Sequence, residues 1–104
     1  MLVSPFSKEQ LKNADKVIIA KITKINDKID FTCIYIDRKG RHEHTLTYTR
    51  NSKEIWSSIY CPCTSCMRWQ LRSGKWCIFK IRVAKELVAM KIFKHHVLTL
   101  INGE

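Results

Sequence analysis

Residues 60–79 read YCPCTSCMRWQLRSGKWCIF, and the reading of this stretch decides the fold. It holds Cys61, Cys63, Cys66 and Cys77, four of the five cysteines, so a crosslink or a metal at this point would pin the chain. Pro62 fixes its own φ and biases Cys61 toward extended backbone. Gly74 can adopt positive φ and reverse the chain ahead of Trp76. Residues 76–83, WCIFKIRV, alternate Cys77, Phe79, Ile81 and Val83 on one face, which predicts a strand. The stretch thus reads as a cysteine knot, a turn and a strand, pinning a loop to a sheet edge by disulfide or by metal.

Working back toward the N-terminus, three more strands are predicted. Residues 16–25, KVIIAKITKI, are dense in β-branched side chains. Ile18, Ala20 and Ile22 are expected on one face, with Lys21 and Thr23 on the other. Val17 and Ile19 make the strand's start apolar on both faces. Residues 30–37 place Phe31, Cys33 and Tyr35 on one side. Residues 43–49 set His44, Leu46 and Tyr48 against three threonines. The turns between them are Asn26-Asp27-Lys28 and Arg38-Lys39-Gly40-Arg41. Ahead of these strands, Ser7 caps a short helix running to Asn13. Residues 50–58 form a loop or short helix with Ile55 and Trp56 as anchors.

Downstream the period changes. Leu87, Met90, Phe93, Val97 and Ile101 recur every three or four residues, which predicts a C-terminal helix over residues 85–98. A meander of strands with one packing helix predicts a mainly β fold, a small five-stranded closed barrel, since closure removes edge strands. The 104 residues are read as one domain.

Lysine and arginine outnumber aspartate and glutamate 19 to 9, and the formal charge of +10 favours a polyanionic partner. The bland alternative is that the lysines only solubilise the chain. Lys21, Lys24, Lys28, Arg38, Lys39 and Arg41 crowd the first strands and turns and are expected to form one basic patch. Arg68, Trp69 and Arg72 interleave a ring with two guanidinium groups, which suits phosphate contact with base stacking. Sulfated glycan offers a comparable row of anions. Trp56 and Trp76 are assigned to the core.

Cys61, Cys63 and Cys66 are candidate zinc ligands, with Cys77 or a histidine as the fourth; otherwise they form disulfides or buried thiols. Cys33 and Cys77 are expected on strands, as buried thiols or a cross-strand pair. Catalysis is not expected. No base or orienting partner accompanies the cysteines, and the residues after Cys66 do not open a helix as a redox motif requires. No apolar run reaches the ~20 residues of a membrane span. The opening residues show no signal peptide.

Several pieces in order resemble one family. Residues 13–22, NADKVIIAKI, resemble the opening strand of netrin-like modules and of the tissue inhibitors of metalloproteinases. Residues 34–40, IYIDRKG, resemble their second strand and turn. Cys61-Pro62-Cys63, Leu71, Gly74-Lys75-Trp76 and Ile78 resemble their Cys-x-Cys segment. The resemblance covers roughly residues 11–81. It implies a barrel of the oligonucleotide/oligosaccharide-binding type, disulfides, an extracellular setting, and an acidic partner such as heparan sulfate or an extracellular protein. The inhibitors' N-terminal chelating cysteine has no counterpart before Cys33, so protease inhibition does not carry over. The alternative is a small intracellular or viral nucleic-acid-binding protein with a cysteine-ligated structural zinc.

Overall fold

A computed structural model describes residues 7–50, 58–62 and 77–102. The elements run α1 (Lys8–Asp15), β1 (Ile18–Ile25), β2 (Lys28–Asp37), β3 (Gly40–Thr49), β4 (Ile59–Tyr60), α2 (Ile78–Ala89) and α3 (His96–Asn102). The strands form a four-stranded antiparallel sheet in the order β1-β2-β3-β4. Among the described residues it is an open meander and does not close into a five-stranded barrel.

Local chemistry accounts for most of these elements. The Ser7 side chain accepts the Gln10 N–H at 3.0 Å, satisfying one of the donors a helix start leaves over, and α1 follows. Asn26 takes φ 53, a left-handed value that asparagine tolerates, and turns β1 into β2. At the β2–β3 turn the Asp37 carboxylate accepts the Lys39 N–H at 2.8 Å. Gly40 then adopts φ 125, where a side chain would be strained although the space beside it is open.

Register fixes the faces. Phe31 pairs with Leu46, Ile29 with Tyr48 and Cys33 with His44, so the predicted faces of the second and third strands stand. That face is covered by the helices, and Phe31, Cys33 and Leu46 are fully buried against Ile81, Val83, Leu87 and Val97. The β1 prediction does not stand. A register shift between Ile19 and Lys21 puts Ile19 opposite Cys33 and Ile18 opposite Ile34. A bulge moves every later side chain to the other face. Ile18, ahead of the shift, lies on the uncovered face and is 56% exposed, whereas Ile22, after it, lies opposite Phe31 on the covered face. The two do not share a face, and the start of the strand is not buried on both sides.

The segment expected to be a fourth strand is instead the helix α2, and the fourth strand is the two-residue β4. Phe79, Lys80, Ile81, Val83, Ala84 and Leu87 are all buried. The buried residues share one side of α2, but over its first turns Phe79, Ile81 and Val83 alternate with Lys80 and Arg82, and that short window passes for an alternating strand. Its β-branched residues favour a strand, and burial overrides that preference. The C-terminal helix expected over residues 85–98 is really two, α2 and α3.

A Schellman turn makes the break. Lys91 N–H donates to Val88 O at 3.0 Å and Ile92 N–H to Leu87 O at 2.9 Å. Lys91 sits at φ 63 in the left-handed position that usually holds glycine. Lys85 Nζ reaches Asp15 Oδ1 at 2.9 Å, and Arg82 Nε donates to Val17 O at 3.2 Å, tying α2 to the segment around α1.

Candidate functional site

Cys77 opens α2 as its N-cap. Its sulfur accepts the Lys80 N–H at 3.4 Å, and its extended backbone (φ −78, ψ 166) is that of a cap and not of a strand interior. Cys61 follows directly on β4 and is buried. The two sulfurs lie 3.5 Å apart, well beyond the ~2.05 Å of a disulfide. Two thiolates on one tetrahedral zinc with bonds of ~2.3 Å stand roughly 3.8 Å apart. The spacing is therefore that of two ligands facing one soft ion, or of two thiols in contact.

Cys77 thus joins Cys61 and not Cys33. Cys33 is enclosed by β2, β3 and the helices, and burial pushes its thiol up to about 12, the Arg82 cation pulling weakly the other way. Among the described residues, no three cysteine, histidine or acidic side chains gather as a metal-ligand set, and no sulfur pair stands at disulfide distance. Cys63 and Cys66, with Arg68, Trp69 and Arg72, lie outside the described residues, as do Trp56 and Trp76.

The basic side chains do not make one patch. Consecutive turns of a meander lie at opposite ends of the strands. Lys24 and Lys28 flank the β1–β2 turn, while Arg38, Lys39 and Arg41 sit at the β2–β3 turn. Ten residues of β2 separate the two ends, about 30 Å at the ~3.3 Å rise of a strand. Lys21 lies between them on the uncovered face, opposite Thr32.

The two ends differ in charge. Arg41 pairs with Glu43 at 3.2 Å, and Asp37 holds His42 at 3.0 Å, so acids offset part of the β2–β3 end. The His42 contact, with help from the Lys39 and Gly40 N–H groups, holds the Asp37 carboxyl below its usual range.

At the other end a cleft of about 430 Å³ lies between the β1–β2 turn and the α2–α3 corner. Lys24, Arg50 and Lys91 line it with Asn26 and Asp27, over apolar walls of Ile29, Tyr48 and Ile92. Arg50 N–H donates to Asp27 O at 3.1 Å, which ties the end of β3 to the turn. Among the described residues, none of these three cations enters an ion pair.

Sequence reading found Lys24 and missed Arg50 and Lys91. Lys91 reads as a helix-surface lysine, and only the helix break brings it to the cleft. The recurrence of apolar residues on both sides of residues 90–95 carries no signal for that break.

Among the described residues, no helix is long and apolar enough to cross a membrane. Compared with known protein families, curated proteins and solved structures, the chain matches none of them, and the likeness to netrin-like modules rests on the motifs alone.

Proposed function

We propose that this chain is a non-catalytic basic binding module for a polyanionic partner, a sulfated glycan or a nucleic acid. The observation that carries the reading is the end of the sheet where Lys24, Arg50 and Lys91 face one cleft with a single acid, Asp27, among them. Unpaired cations held by separate elements raise the local potential more than scattered lysines do. Such binding works through counterion release and falls steeply with salt. The test is a salt titration of heparin and of single-stranded DNA on the intact chain. Neutralising Lys24 and Arg50 together should weaken both ligands and flatten the salt dependence. Neutralising Arg38 and Lys39 should weaken them less. No binding at low salt leaves the charge as a solubiliser and ends this reading.

A second reading is favoured by the sulfur pair: an intracellular or viral nucleic-acid-binding protein with a structural zinc. Cys61 and Cys77 would supply two ligands at the junction of β4 and α2, where 3.5 Å between sulfurs is close to the spacing zinc requires. Zinc there would join sheet to helix and contribute folding free energy directly. Metal analysis of chain purified under reductant tests it. About one zinc per chain, lost in Cys61→Ser, is the expected result; metal-free chain with parental melting rejects it.

A further inference from the structure

We propose that the cleft between the β1–β2 turn and the α2–α3 corner binds one phosphomonoester group carried on an organic body of nucleotide size. The proposal rests on the polyanion reading and names the chemistry of its strongest part.

The charge in the cleft selects the anion. Lys24, Arg50 and Lys91 bring three positive charges and Asp27 one negative, leaving two positive. A phosphate monoester carries between about −1.5 and −2 at neutral pH, whereas a backbone diester carries a single negative charge. The monoester is the matching ligand. The negative end of α2 points to this corner, but part of its last turn of carbonyls is occupied. Leu87 O accepts from Ile92 and Phe93, and Val88 O from Lys91. The dipole's opposition to an anion is thereby reduced.

The shape selects the body. About 430 Å³ lies within the range of small-ligand sites. A bound body would meet Tyr48, whose ring is fixed edge-on to Phe93 at 5.6 Å, with Ile29 and Ile92 beside it. A flat ring system suits such a wall.

Backbone strain marks the same place. A lysine at φ 63 is costlier than a glycine there, and such strain collects where the surroundings fix a functional side chain. It also supplies a clean variant. Lys91→Gly removes the charge while relieving the backbone, so the fold should melt at or above the parent temperature.

The experiment is calorimetric titration of the intact chain with adenosine 5′-monophosphate, its phosphate methyl ester, adenosine and inorganic phosphate at low salt. The monophosphate should bind several-fold tighter than each of the other three. Lys91→Gly and Arg50→Gln should each weaken it, and Arg38→Gln, at the far end of the sheet, should not. Equal binding of adenosine and its monophosphate, or parental affinity in Lys91→Gly, overturns the proposal. If heparin and single-stranded DNA bind with steep salt dependence while the monophosphate does not, the cleft proposal falls and the polyanion reading stands. If the monophosphate binds and neither polymer does, the polyanion reading falls and the cleft proposal stands.

Discussion

The Cys61 sulfur lies 3.5 Å from the Cys77 sulfur, joining residues sixteen positions apart across the boundary between β4 and α2. Cys77 has two roles, as a partner of Cys61 and as the cap that accepts the Lys80 N–H. Two substitutions separate them. Cys77→Ser keeps a good cap and removes the thiol; Cys77→Ala removes both. We expect Cys77→Ala to be less stable than Cys77→Ser by about 1 kcal/mol, the usual worth of a cap. If sulfur contact or a shared ion is what matters at Cys61, Cys61→Ser and Cys77→Ser should melt alike and below the parent. Denaturant unfolding of the three variants decides it, and equal stability of the serine and alanine forms would remove the cap from the account.

Cys33 should be silent to alkylation in the native chain. It is fully buried and its thiol is raised to about 12, so almost no thiolate exists at neutral pH. Modification should proceed only as fast as the protein opens, and mass spectrometry should find Cys33 labelled last among the described cysteines. The raised value also has a sign for stability. The unfolded thiol releases its proton near its ordinary value and the folded one does not. The contribution is therefore fully present below that ordinary value and is lost as pH rises toward 12. Cys33→Ala should lose less stability than the parent over this alkaline range.

Asp37 acts at the opposite end of the pH scale. Its carboxyl is held below the usual range, first by His42 and then by the turn's N–H groups. The stability from the charged form is present above the ordinary aspartate value. It is lost as pH falls through the lowered one. Asp37→Asn should show a shallower acid limb in a plot of melting temperature against pH. Identical acid limbs in parent and variant would show that the turn contributes nothing through this charge.

Phe31 and Leu46 are directly paired across β2 and β3, and neither is exposed. Truncating Phe31 to alanine should cost about 3–5 kcal/mol, the range for emptying a large core site. Ile36→Ala should change stability little, since Ile36 is 66% exposed on the uncovered face. Guanidinium unfolding compares the two, and a similar loss for both would mean that the uncovered face is buried in solution.

The meander and its covered face could be read from the sequence because Phe31-Cys33-Tyr35 and His44-Leu46-Tyr48 alternate cleanly between turn signals. The helix α1 could be read from Ser7, whose capping chemistry is local. The register shift after Ile19 could not. A bulge is set by pairing with the neighbouring strand, and the run Ile18-Ile19-Ala20 is apolar on either face. Residues 78–83 read as a strand because Phe79, Ile81 and Val83 alternate with Lys80 and Arg82, and nothing in the sequence marks Lys80 as buried. The sulfur pair was half legible. Cys61 and Cys77 were both named as structural, and their meeting depends on α2 being a helix. The cleft was the least legible feature, since its cations come from three elements far apart in the chain and meet only through tertiary packing.

The alternation of turns has one further consequence, for the length of partner the sheet can hold. If the chain binds a polyanion as proposed, its two basic ends would act as separate valences joined by a spacer of about 30 Å. An anionic chain shorter than this spacer meets one end and leaves the other to solvent. A longer one engages the second end as an intramolecular event, at high effective concentration and with no new contact type. Affinity for a polyanion would then rise in a step with its contour length and not in proportion to its charge, so the protein would act as a gauge of extended length.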